Sequence, residues 1–242
     1  MEKFWAPKGA RHFKDLESEQ GGVAVDNARF GDLMEKGCGA LGVTVGEEVP
    51  ARLNRLMGEL LKWNAKVNLT AITAEEEVVE KHFLDSLAVL PEVEGAGSVL
   101  DVGAGAGFPG LPLKMARPSL SVTMVDAVGK KVGYLKAVVA VAGLGLTGTK
   151  AVHTRAEGKP EAEGLPRADR VIARAFMDLP DWLDLAPAYL AEGGHVVAML
   201  GKALSEEELK AQAEKRGLKL VSARSYRLPF SGAERQVAAF AK

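Results

Sequence analysis

Cysteine is nearly absent from this chain, and the single thiol, Cys38, excludes an internal disulfide. No Cys/His cluster has metal-ligand spacing, and His12, His82, His153 and His195 are scattered, so a metal-free protein of the reducing cytoplasm is expected. Long apolar runs are missing as well. None approaches the roughly 20 residues needed to span a bilayer, and Met1–Gly22 is charged and lacks the apolar stretch of a secretory signal. Neither sign of charge is in excess. A net charge of −1 excludes a strongly basic, histone-like binder, so a nucleic-acid partner must be met by a local basic surface. The expectation is a monomer with no membrane partner.

What is present divides the chain into three stretches. Residues 1–27 mix charged residues, Gly and Ser with little periodicity and read as an irregular lead-in. Residues 28–95 read as a small helical region. Val49, Leu53, Leu56, Met57, Leu60 and Leu61 recur at helical spacing, and Val79, Phe83, Leu87 and Leu90 mark a second stripe that Pro91 closes. Thr73 with Glu76 has the spacing of a capping box for that second helix. From 96 to 242, short apolar runs alternate with helical patterns, as βαβ units around a parallel sheet do. Strands are expected at 98–102, 121–125, 149–153, 170–173, 195–200, 219–227 and 235–241, with helices at 110–116, 129–142, 180–191 and 205–216. Ser205 with Glu208 caps the last helix and Gly217 stops it. A loop without a helix joins the final two strands, so one of them runs antiparallel.

The most informative stretch is Val99–Gly110, Val-Leu-Asp-Val-Gly-Ala-Gly-Ala-Gly-Phe-Pro-Gly. Glycine serves where backbone turns sharply or approaches a ligand, because it has no Cβ. A strand feeding such a turn and then a helix places ligands at the carboxyl end of the sheet. The next strand ends in Asp126, a carboxylate positioned to accept hydrogen bonds from both ribose hydroxyls of an adenosine moiety. Gly105-x-Gly107-x-x-Gly110 also matches the dinucleotide fingerprint, but that fingerprint wants its first glycine directly after the strand. Read from Asp101, the stretch is acidic-x-Gly-x-Gly-x-Gly, which resembles motif I of S-adenosylmethionine methyltransferases. Methyl donor, NAD(P) and plain structural turn remain the three alternatives. The first implies an α/β, Rossmann-like class I methyltransferase: a seven-stranded, mostly parallel sheet with helices on both faces, preceded by the small helical region.

Two further strand-end loops lie at the same edge. Backbone at Ala156 and Glu157 is placed to flank an adenine ring, with a solvated loop charge as the plain alternative for Glu157. Arg174 faces the ligand crevice or pairs with Asp178. Between Ser98 and Glu157 seven Lys and Arg stand against three acidic residues, and Lys130 and Lys131, just after Asp126, are placed to meet phosphate.

Trp63-Asn-Ala-Lys-Val-Asn-Leu-Thr70, Lys81-His-Phe-Leu-Asp-Ser-Leu87, the Asp101–Gly110 stretch and Arg174-Ala-Phe176 together resemble the bacterial small-subunit ribosomal RNA guanine-N7 methyltransferase G family, also called glucose-inhibited division protein B. The resemblance covers about residues 45–242, and its first two motifs are specific to that family. It implies methylation of a guanine N7 in the 530 loop of 16S rRNA with S-adenosylmethionine as cofactor, on free rRNA or the small subunit. The cofactor residues implied are Gly103, Gly105, Gly107, Phe108, Asp126, Ala127, Val128, Ala156, Glu157 and Arg174. The RNA-binding residues are Lys130, Lys131, Arg174, Lys202 and Arg235. Two positions depart from the pattern: Lys202 follows Gly201 where the family has a lysine before the glycine, and Arg235-Gln236 replaces Arg-His.

Side chains absent from the chain narrow the acceptor. The chain has no Asp/Asn-Pro-Pro-aromatic motif for gripping an exocyclic amine, and Cys38 is poorly placed as a nucleophile toward pyrimidine C5. Guanine N7 carries its own lone pair, so no proton must leave and no catalytic acid or base is nominated. The N7 edge lies in a groove too deep and narrow for side chains in an A-form duplex, so the target should be looped or unstacked. A non-catalytic RNA-binding module on the same fold remains the competing possibility. Asn68, His82 and Asp85 are read as orienting RNA or capping the joint between the helical region and the sheet, with His82 buried and satisfied.

Overall fold

The computed structural model describes residues 26–242, so the irregular lead-in expected for 1–27 lies almost wholly outside the described residues. Helix α1 (Asn27–Leu41) starts where Asp26 accepts the Ala28 N–H (3.0 Å) and ends at Gly42 in the left-handed conformation. Helix α2 (Val49–Val67) buries the predicted stripe, with Leu53, Leu56, Met57 and Leu60 fully inaccessible. The next helix opens as α3 (Glu75–Val78), widens into a π-helical segment (Val79–Leu84) and closes as α4 (Asp85–Leu87). Its expected capping box does not form. The N-cap is Ala74, one residue later than the sequence pattern requires, so Thr73 is out of reach. Glu75, Glu76 and Glu77 instead supply the negative charge that a helix N-terminus favours.

Then follow β1 (Ser98–Val102), α5 (Gly110–Ala116), β2 (Ser121–Asp126), α6 (Gly129–Val139), β3 (Thr149–His153), α7 (Pro160–Glu163) and β4 (Ala168–Arg174). The chain closes with α8 (Leu179–Leu185), β5 (Leu190–Leu200), α9 (Glu206–Glu214), β6 (Lys219–Arg227) and β7 (Glu234–Ala241). The helix expected over 180–191 is shorter: it tightens to a 3-10 turn at Ala186–Tyr189, where Pro187 has no N–H to continue it, and β5 begins at once. The capping box of Ser205 and Glu208 forms as expected.

The seven strands lie in the order β3-β2-β1-β4-β5-β7-β6, parallel from β3 to β5, with β7 antiparallel to both β5 and β6. Strand order reverses between β1 and β4, and a crevice at the carboxyl ends there is where open α/β sheets bind ligands. Apolar side chains fill both faces. On one, Val99, Met124, Ile172 and Val197 pack with α1, α2, α5 and α6. On the other, Leu100, Val171, Val196 and Ala198 pack with α8 and α9. The helical region thus shares one core with the sheet, which fixes its position over the crevice. Leu56→Ala empties part of that shared core, and a loss of about 3 kcal/mol is expected in urea unfolding.

Candidate active site

The chain leaves β1 and bends at Gly103 with φ +71, a conformation that penalises any Cβ. A Cβ there would also lie 2.2 Å from the Phe176 ring, which rests against the bend. Beneath it Asp101 is wholly buried. Its Oδ2 accepts the Gly110 N–H (2.9 Å) and its Oδ1 has no partner. A Cβ on Gly110 would meet that Oδ2 at 2.8 Å, so the last glycine of the motif makes room for the carboxyl group. Burial pushes the Asp101 pKa up to about 7, against the opposing pull of the Gly110 N–H and of Arg174. The folded protein therefore holds a proton between the ordinary value of 3.8 and about 7 that the unfolded chain releases. Stability should fall as pH rises through that window, and Asp101→Asn should flatten the slope in Tm measured against pH.

Asp126, at the end of β2, is 8% exposed and tied to the same bend. Its Oδ2 accepts the Gly105 N–H (2.9 Å) and its Oδ1 the Val128 N–H (2.8 Å). Each oxygen keeps a second lone pair, the pair needed for two vicinal ribose hydroxyls. Ala127 and Val128 follow, both exposed. Ala156 is half-buried; Glu157 is exposed, and its N–H already donates to Glu163 Oε1 (2.9 Å). Among the described residues four large apolar side chains are exposed. Three of them, Val128, Phe176 and Met177, stand on the loops after β2 and β4.

Arg174 closes β4 and reaches across to the helical region. Its Nη1 donates to the Lys81 carbonyl (2.6 Å) and lies 3.4 Å from Asp85 Oδ2, its Nη2 donates to His82 Nδ1 (3.2 Å), and its guanidinium carbon sits 5.3 Å from the centre of the Phe108 ring. The alternative partner named from sequence, Asp178, is not used; it is exposed and stands at the N-cap of α8, while Asp85 is buried and close at hand. His82 stacks on Phe108 with centroids 4.5 Å apart and is buried and satisfied, as expected. Burial first, and then the charge of Arg174, hold its pKa down to about 3, so the ring is neutral. Asp85 also accepts the Tyr226 hydroxyl (2.8 Å), with Arg235 Nε 3.7 Å away.

The cluster around Arg174 borders a cavity of about 420 Å³. Gly103 to Ala106 and Phe108 form one side. Leu69, Thr70 and Ile72 of the α2–α3 loop also line it, as do Met199, Gly201, Tyr226 and Arg235. Of the residues singled out in the sequence, the cavity gathers His82, Asp85, Gly103, Gly105, Phe108, Arg174 and Arg235. Asp126 backs the glycine bend from behind, and Gly107 is buried against Leu111 and Leu135. Lys130 and Lys131, on the first turn of α6, and Lys202, exposed after β5, lie outside the cavity wall. Sequence reasoning missed Thr70 and Tyr226 as lining residues. The family-specific run 63–70 was the available signal: Asn64 accepts the N–H groups of Leu69 (2.6 Å) and Thr70 (2.9 Å), and Asn68 turns with φ +48. Those asparagines shape the loop that carries Thr70 into the wall. Cys38 is buried and its thiol is pushed up to about 11, which leaves no nucleophile there.

The family model described as rRNA small subunit methyltransferase G matches residues 50–237. A ribosomal RNA small subunit methyltransferase G of Myxococcus xanthus (strain DK1622) is 70% identical over 218 residues, covering 90% of this chain and all of that protein. Its counterpart in Anaeromyxobacter dehalogenans (strain 2CP-1 / ATCC BAA-258) is 49% identical over 212 residues, covering 88% of this chain and 97% of that one. Among solved structures, a SAM-dependent methyltransferase from Thiobacillus denitrificans in complex with S-adenosyl-L-homocysteine superposes with a TM-score of 0.50 at 14% identity, covering 65% of this chain and 90% of that one. At that identity it establishes the Rossmann-like methyltransferase fold. The chain belongs to the rRNA small subunit methyltransferase G family.

Proposed function

We propose that the protein transfers a methyl group from S-adenosylmethionine to N7 of a guanine in the 530 loop of 16S rRNA, acting in the cytoplasm as a monomer on the rRNA or the small subunit. The observation that carries this reading is the cavity's composition. It is lined by the glycine bend, which Asp126 ties through the Gly105 N–H, together with residues of the helical region and of the β6–β7 hairpin. Residues 96–242 serve as the methyltransferase domain and 28–95 as a helical region that closes the acceptor side.

The residues fit the methyl donor. Asp126 has lone pairs left for a ribose, Val128 supplies exposed apolar surface for an adenine, and the bend from Gly103 to Ala106 borders a space large enough for the methionine end. When bound, S-adenosylmethionine supplies an electrophilic methyl on a positively charged sulfur. The chain's own work is positioning. Phe108, held by His82 and Arg174, walls the cavity, and the buried Asp85 keeps Arg174 and Arg235 oriented in its lining. Alignment of nucleophile and electrophile can contribute about 7–11 kcal/mol without any acid or base. Lys130, Lys131, Lys202 and Arg235 meet phosphates along the rim. The dinucleotide reading gains no support, because Gly103 and not Gly105 follows β1.

Mapping of 16S rRNA tests the reading. A strain lacking the protein should lose one N7-methylguanosine and regain it on re-expression; an unchanged map would refute it.

A further inference from the structure

The hydrogen bonds between the helical region and β4 determine where one proton must point. Arginine is a donor only, so the contact of Arg174 Nη2 with His82 Nδ1 (3.2 Å) makes that ring nitrogen an acceptor. The His82 ring is neutral and carries one N–H, which must then sit on Nε2. Nε2 lies 3.0 Å from Thr70 Oγ1, so His82 donates to the threonine. The Ile72 N–H donates to the same oxygen at 3.0 Å. A hydroxyl has two acceptor lone pairs and one proton. Both lone pairs of Thr70 are filled from inside the protein, which leaves its O–H proton for the cavity that Thr70 lines.

We infer that Thr70 reads the acceptor base, donating its hydroxyl proton to O6 of the guanine whose N7 is methylated. The inference rests on the guanine-N7 reading above. Guanine presents two acceptors side by side on this edge, N7 and O6, whereas adenine presents N7 beside an amino donor. With N7 kept free for the methyl, O6 is the remaining acceptor on that edge. Thr70 and the glycine bend line the same cavity, the space that an acceptor base and the methyl donor would share. An adenine in the same pose would set its amine against a hydroxyl that has no lone pair to offer. Discrimination therefore comes from a repulsive element as well as an attractive one. For this contact His82 and Arg174 are positioning residues: they fix the direction of the Thr70 proton. This gives the family-specific run 63–70 a function, since Asn64 and Asn68 hold the loop that presents the hydroxyl.

The test uses the full-length protein, labelled S-adenosylmethionine, and small subunits from a strain lacking the activity. The subunits carry either guanine or an engineered adenine at the target position. Wild type should methylate the guanine subunits and strongly disfavour the adenine ones. Thr70→Val should lower kcat/KM on guanine roughly tenfold, leave the adenine rate unchanged or raised, and bind S-adenosylhomocysteine as wild type does. Thr70→Ser should keep the wild-type preference. A Thr70→Val protein with an unchanged rate and preference would overturn the inference. So would one that loses both rates equally, because that marks a structural role only. Thr70→Ala carries the same prediction should valine prevent folding. If neither variant folds, the wild-type ratio decides, and equal methylation of the two subunits overturns the assignment. Failure of wild type on guanine subunits would instead remove the guanine-N7 reading, and the role of Thr70 with it.

Discussion

Asp126→Ala should abolish the rise in melting temperature expected when S-adenosylmethionine is added to the wild-type protein. Two losses combine in this variant. Both carboxylate oxygens support the bend, through the N–H groups of Gly105 and Val128, and both retain a lone pair for a ribose hydroxyl. Hydrogen bonds to a charged group contribute about 1.5–3 kcal/mol each, so losing two weakens affinity by roughly a hundredfold or more. Asp126→Asn should recover little, because its amide nitrogen must face one of those two backbone donors. Calorimetric titration with S-adenosylhomocysteine measures the loss directly. Affinity within a few-fold of wild type would show that Asp126 only shapes the bend.

Arg174→Ala is the second large expected effect, and it acts on stability and turnover together. Arg174 is the cation nearest Asp85, whose side chain is 6% exposed, and its removal leaves that carboxylate with Tyr226 and the more distant Arg235. Breaking one side of a buried pair costs about 3 kcal/mol or more. At this chain length that is roughly 6–12 °C in Tm. The variant also leaves His82 Nδ1 without its donor and Phe108 without the guanidinium beside it. Methyl transfer should fall far below what the fraction unfolded explains. Arg174→Lys should rescue neither loss, since a single ammonium cannot serve the Lys81 carbonyl, His82 and Asp85 at their separate positions. Wild-type turnover by a stable Arg174→Ala protein would contradict this account of the cluster.

The parts of this molecule legible from sequence are those set by local patterns. Strands β1, β3 and β6 begin and end where alternation and glycine punctuation place them, and the Ser205 cap forms because its partner is three residues away. The glycine bend and Asp126 come from one strand–turn–helix unit and the strand after it, and they meet as the spacing implies. Tertiary geometry overrode local pattern elsewhere. Thr73 has the right neighbour for a cap, but the loop before it is folded by Asn64 and delivers the chain to the helix one residue later. Pro187 cuts short a helix whose apolar pattern runs on to residue 191. Arg174 lies four residues from Asp178 and 89 from Asp85, yet it pairs with Asp85 because the helical region packs over the carboxyl end of β4. How Thr70 and Tyr226 come into the cavity wall was not legible for the same reason. Thr70, His82, Arg174 and Tyr226 are far apart in the chain and meet only through packing.

The most direct measurement is transfer itself. Purified protein, tritiated S-adenosylmethionine and small subunits from a strain lacking the activity should give one label per subunit, on a guanine that cleaves under N7-methylguanosine chemistry. Label on an exocyclic amine or a pyrimidine, or no label despite tight cofactor binding, would contradict the account.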